Sequence, residues 1–153
     1  MEVKFNSVYK KIFETKARYR VLYGGAGSGK SHFVAQEIIL KMIERRNISY
    51  LIVRKVAKTI RHSVFRLLVD LISENDLNKY FVVNKTEMSI NCLNGSKLIT
   101  SGLDDVEKLK SISGINKIWI EEASEITEKD FQQLDLRLRG QTSEKFQVTL
   151  TFN

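Results

Sequence analysis

The apolar positions switch between two spacings along the chain, and the switches mark out its elements. Residues 8–14 predict a short helix with Val8, Ile12 and Phe13 on one face. Tyr19-Arg20-Val21-Leu22-Tyr23 predicts a short buried strand. Helical spacing follows over residues 32–46. Ala35, Ile38, Ile39, Met42 and Ile43 form one stripe, and Asn47 is a suitable stop. Residues 49–53 predict a second strand. Residues 59–73 predict a second long helix, with Ile60, Val64, Leu67, Leu68, Leu71 and Ile72 at helical positions. A strand is expected at 80–84. Alternating runs at 87–93 and 97–101 flank Asn94-Gly95, a hairpin signal in which both turn residues accept positive φ. Met88, Ile90 and Cys92 then share a buried face. The polar stretch 102–114 predicts a short helix or loop. An apolar strand at 117–122 ends in two carboxylates. Thr127, with Asp130 three residues on, predicts the start of a helix carrying Phe131, Leu134, Leu136 and Leu138. Residues 146–153 predict a last strand. Strands alternating with helices give an α/β fold: a mostly parallel central sheet flanked by helices, with a β-hairpin near residues 87–101.

The 153 residues suffice for one domain with a core. A formal charge of +7 favours polyanionic partners such as nucleic acid. Lys58, Arg61, His62 and Arg66 lie off the apolar stripe of the second helix, as either a solvated basic face or a DNA-backbone contact. Cys92 is the sole cysteine, so an intrachain disulfide is excluded. The first residues lack the apolar run of a signal peptide, and no apolar stretch is long enough for a transmembrane helix.

Two stretches carry chemistry. Gly24-Gly25-Ala26-Gly27-Ser28-Gly29-Lys30-Ser31 fits the phosphate-binding pattern G-x-x-x-x-G-K-[ST] between a predicted strand and a predicted helix. In that setting backbone N–H groups cradle phosphates, Lys30 reaches the β- and γ-phosphates of ATP, and the Ser31 hydroxyl ligates Mg²⁺. The second is Ile118-Trp119-Ile120-Glu121-Glu122. This strand is expected directly beside the one that enters the glycine loop. Glu121 would hold Mg²⁺, and Glu122, pointing differently, would orient or deprotonate the attacking water. Glu121 stands where Asp is usual. Tyr9 or Arg18 are candidates for packing near the base. Arg139 is a candidate for stabilising charge on a neighbouring subunit's ATP, with surface or ion-pairing roles equally open.

Together these pieces resemble the N-terminal ATPase domain of the large terminase subunit of tailed bacteriophages. Further carriers of the resemblance are Ile52-Val53-Arg54-Lys55 followed by Ser63-Val64-Phe65, Ser101-Gly102-Leu103-Asp104-Asp105 with Lys110-Ser111, Ala123-Ser124-Glu125 after the paired acids, Leu136-Arg137-Leu138-Arg139-Gly140, and Leu150-Thr151-Phe152-Asn153. The resemblance implies a P-loop NTPase of the ASCE, RecA-like type that hydrolyses ATP with Mg²⁺ to drive double-stranded DNA into a procapsid. Lys30 and Ser31 would bind phosphates and Mg²⁺, Glu121 would be the Walker B acid, and Glu122 the catalytic base. Arg139 would be a trans-acting arginine finger, and Thr151 and Asn153 would couple hydrolysis to movement. Ala26 stands where many members carry Arg. Implied partners are DNA, a terminase small subunit, a portal protein and further copies in a ring, in the host bacterial cytoplasm at the procapsid portal, with no membrane. Residues 1–153 would then be an ATPase domain incomplete at its C-terminus, without the nuclease domain. A helicase-like nucleic-acid-stimulated ATPase, and a truncated nucleotide-binding module without turnover, are the alternatives. A small-molecule kinase fits the paired acids less well.

Overall fold

A computed structural model describes residues 7–139 and 144–153. Its elements, in chain order, are α1 (Ser7–Glu14), β1 (Tyr19–Tyr23), α2 (Lys30–Glu44), β2 (Ser49–Arg54), α3 (Ala57–His62), α4 (Val64–Glu74), β3 (Phe81–Asn84), β4 (Ser89–Cys92), β5 (Lys97–Gly102), α5 (Val106–Ser111), β6 (Lys117–Glu121), α6 (Glu128–Asp135) and β7 (Gln147–Phe152). The seven strands form one sheet in the order β1-β7-β6-β2-β5-β4-β3. The first five in that order run parallel, and β4 and β3 add an antiparallel edge. The expected α/β architecture is therefore present.

β2 and β6 are buried on both faces, which is why they read as unbroken apolar runs. Their alternate residues enter two cores. Tyr50, Ile52 and Trp119 join α2 and α4 on one face; Leu51, Val53, Ile118 and Ile120 join Ile112, Ile115 and Leu134 on the other. Among the described residues no helix is long and apolar enough to cross a membrane.

Five expectations are corrected, the last of them the extent of α6. β6 does not lie beside β1, because β7 is inserted between them. Glu121 is thus two strand spacings, about 10 Å, from the strand that enters the glycine loop. Second, β1 is not a buried strand. It forms the edge of the sheet with Tyr19, Val21 and Tyr23 exposed, while Arg20 is buried with Leu22. Arg20 is inside because it is fully paired. Its guanidinium donates to both carboxylate oxygens of Glu37, at 2.8 and 2.7 Å, and to Thr149 Oγ1, while Lys41 pairs with the same Glu37.

Third, the helix expected over 59–73 is two helices broken at Ser63, whose backbone leaves helical geometry at φ −113°, ψ −102°. Its hydroxyl oxygen sits 2.9 Å from Thr59 O, the carbonyl that a continuous helix would bond through the backbone. Fourth, the hairpin loop is not a two-residue turn. Cys92 and Ser96 close a three-residue loop in which Gly95 has positive φ and Asn94 does not. The Asn94 side-chain amide instead donates to the Met42, Ile43 and Arg45 carbonyls at the end of α2. Thr127 does cap α6, in a reciprocal box with Asp130. That helix ends at Asp135, before Leu136 and Leu138.

Candidate active site

The glycine loop leaves the C-terminal end of β1 and turns into the N-terminus of α2. Three of its residues need glycine: Gly24 has φ +156°, and two more lie deeper in the positive region. Gly27 has φ +75°, and Gly29, the residue that starts α2, has φ +83°. α1 braces the loop from outside: Tyr9 Oη donates to Ser28 O at 2.7 Å, and its ring stacks on Phe33 at 4.5 Å. Tyr9 therefore reaches the loop. Arg18 does not; it sits at the opposite end of β1, paired with Asp135 at 3.1 Å.

Lys30 is buried at the start of α2, and its ammonium turns back under the loop. Its three N–H groups are shared among four acceptors: Gly24 O (2.7 Å), Gly25 O (3.0 Å), Ser28 Oγ (3.0 Å) and Asn153 Oδ1 (2.9 Å). Ser31 follows in the first helical turn. A hollow of about 300 Å³ opens there, lined by Ala26 to His32 and, from across it, by Glu122, Thr151, Phe152 and Asn153. The inserted β7 is what carries Thr151 and Asn153 to this wall. Thr151 is fixed from behind by the indole of Trp119, whose Nε1 donates to its Oγ1 at 2.9 Å.

The paired carboxylates diverge. Glu122 leaves the strand in left-handed geometry, φ 53° and ψ 52°, and reaches the hollow. Glu121 does not line it. Its buried carboxylate accepts from Ser63 Oγ at 2.9 Å and lies 3.7 Å from Arg54 Nη1. Burial pushes its pKa above the ordinary glutamate value, against the opposing pull of Ser63 and Arg54. Arg54 Nε is buried without a hydrogen-bond partner among the described residues, and its guanidinium is also 3.8 Å from Glu125.

Ser63 is not legible in the sequence as a site residue, since the polar position between Ile60 and Val64 looks like any outward turn of a helix. Ser63→Ala is expected to cost about 1–3 kcal/mol, because the buried Glu121 carboxylate loses its donor. The check is the unfolding midpoint in denaturant, with Ser63→Thr as the variant that restores the hydroxyl.

Arg139 is not brought to the hollow. It follows Leu138, which bridges to Ile115 just before β6 begins, so it is exposed at the opposite end of the sheet. Gly140 lies outside the described residues. Among the described residues no group of three or more His, Cys, Asp or Glu could hold a metal. Ser31 and Glu121 nevertheless supply hard oxygen donors of the kind Mg²⁺ takes alongside phosphate oxygens.

Residues 16–153 match the family model of the phage terminase large subunit. The PBSX phage terminase large subunit of Bacillus subtilis strain 168 is 37% identical over 128 residues, covering 84% of this chain and 29% of that protein. The large terminase ATPase domain of Thermus phage P74-26 superimposes with a TM-score of 0.70 at 15% identity, covering 97% of this chain and 64% of that one. The large terminase of another thermophilic bacteriophage, solved in complex with ADP, gives a TM-score of 0.65 at 13% identity, covering 88% of this chain and 33% of that one. The chain thus spans less than a third of the length of the curated relatives it matches.

Proposed function

The chain belongs to the phage terminase large subunit family, and from that premise we propose that it is the ATP-hydrolysing part of a motor that packages double-stranded DNA into a procapsid. One observation carries the reading. A carboxylate, Glu122, and the polar tip of β7 face a glycine loop across a hollow of about 300 Å³ that already contains a directed ammonium. The ADP held by the thermophilic-phage relative supports ATP as the substrate.

In this reading the carbonyl and Asn153 partners of Lys30 hold its ammonium until phosphate oxygens replace them. Backbone N–H groups from Ala26 to Ser31 and the positive end of α2 receive the negative charge of the phosphates. Glu122 accepts a proton from the attacking water, or orients that water toward the γ-phosphate. Ser31 would hold Mg²⁺ in the hollow, and Glu121, which lies outside it, would hold the ion through water; when bound, Mg²⁺ would neutralise charge on the phosphates. Ser63 and Arg54 keep Glu121 turned away from Glu122, so the two acids do not compete for one position. Arg139, exposed at the far end of the sheet, is the candidate to reach a neighbouring copy's nucleotide.

The finer partners belong to the same proposal: a terminase small subunit, a portal protein and a ring of copies, working in the host cytoplasm at the procapsid portal. The test is hydrolysis coupled to movement. Purified protein with Mg²⁺, ATP, procapsids and linear DNA is expected to protect DNA from nuclease, and chelating Mg²⁺ with EDTA is expected to stop both hydrolysis and protection. Hydrolysis that persists in EDTA, or protection that needs no ATP, would overturn it.

A further inference from the structure

The end of the sheet opposite the glycine loop holds a second, larger hollow of about 450 Å³. β6 and β7 begin there, with Lys117 and Gln147, and end with Glu121 and Phe152 on the side of the sheet that carries the glycine loop. Its walls are fixed. Gln147 Nε2 donates to Ala17 O at 2.8 Å and to Thr15 O at 3.5 Å, which ties the turn after α1 to β7.

Lys117 is the unusual member. It is only 8% exposed in the wall of this hollow, with no hydrogen-bond or ion-pair partner among the described residues. The buried and half-buried acids on this side are already engaged. Glu144 takes both of its oxygens to Arg45 Nη1, at 2.9 and 2.8 Å, and the buried Glu37 is shared by Arg20 and Lys41. Lys16 and Lys145 add charge at the mouth, where the carboxylates of Glu14 and Glu44 are exposed to water. Its ammonium opens onto the hollow, where the charge of Glu144 reaches it without a contact, so its donors are left for a bound anion.

We propose that this hollow is a site for a small phosphate-type oxyanion, held by Lys117 with Lys16 and Lys145 around it. Lysines suit such a ligand because each presents rotatable donors as a point charge, without the flat fork that matches a carboxylate. The proposal is independent of the nucleotide site, and inorganic phosphate is its probe.

Lys117 also supplies the reporter. Burial, and then the charge of Lys41, lower its pKa to about 8, so its amine is more often free to react than that of an ordinary lysine. Pulse acylation of the intact protein with acetic anhydride, read by peptide mass spectrometry, measures that reactivity directly. Phosphate at ten times its dissociation constant is expected to slow acylation of Lys117 about tenfold, at constant ionic strength set with chloride. The protection is expected to persist in Lys30→Met, which removes the loop's phosphate-binding ammonium. In that background, phosphate should raise the melting temperature, and Lys117→Met should abolish the rise. Equal protection by chloride, or an acylation rate that phosphate does not change, would overturn the site. So would protection that disappears in Lys30→Met, since it would report the glycine loop instead.

Discussion

Replacing Glu122 by glutamine is expected to leave ATP binding within a few-fold of wild type and to lower turnover by about 10²–10⁴-fold. That corresponds to about 3–5 kcal/mol of barrier. The substitution preserves size and the contact with the hollow, so the loop and the Lys30 ammonium still receive phosphate. What is lost is the only feature an amide cannot supply: an acceptor strong enough to take the water proton. The partner experiment is Lys30→Met, which removes the ammonium inside the loop and should weaken binding itself. A nucleotide titration beside a steady-state rate separates the two outcomes. If Glu122→Gln loses binding as much as turnover, Glu122 holds the nucleotide and is not the base. If turnover survives, the base is elsewhere.

The largest effect on stability is expected at Glu37. Its carboxylate pairs with Arg20 from the edge strand and Lys41 from the next turn of α2, and all three are buried. Glu37→Ala strands two buried cations and is expected to cost about 3–5 kcal/mol, a large share of the roughly 5–15 kcal/mol that holds a domain together. The midpoint of urea unfolding measures it. Removing the whole triad, as Arg20→Met, Glu37→Leu and Lys41→Met together, should recover most of the loss, since no buried charge is then left over. A loss under about 1 kcal/mol from Glu37→Ala would mean that water reaches the two cations and screens them. The position matters for the site as well. α2 carries the glycine loop on its N-terminus, and Glu37 pins that helix to β1 and, through Arg20, to Thr149 of β7.

The chemistry of the hollow is largely written in the sequence, because glycines that need positive φ, a lysine at the first helical turn and acids at a strand end are local requirements. Thr127 with Asp130 is local too, and its capping box is present. The rest depends on partners remote in the chain. Arg20 reads as an outward residue of a buried strand until Glu37 and Thr149 are known to meet it. The break at Ser63 is invisible to periodicity because Ile60 and Val64 keep helical spacing across it, and only Glu121, 58 residues away, gives the serine a reason to face inward. The insertion of β7 between β1 and β6 comes from the chain's last strand, and no pattern near either neighbour announces it. Arg139 is read as a candidate for a neighbouring copy's ATP or for a surface role, and the bridge from Leu138 to Ile115 holds it at the end of the sheet away from its own glycine loop.

The left-handed turn at Glu122 sets two kinds of selection against each other. A side chain of this size in that geometry costs about 1–2 kcal/mol relative to glycine, and asparagine also accepts it more readily. Either replacement would relax the backbone and silence the proposed base. If Glu122 is that base, drift toward a hardier protein and drift toward an idle one run in the same direction at this position.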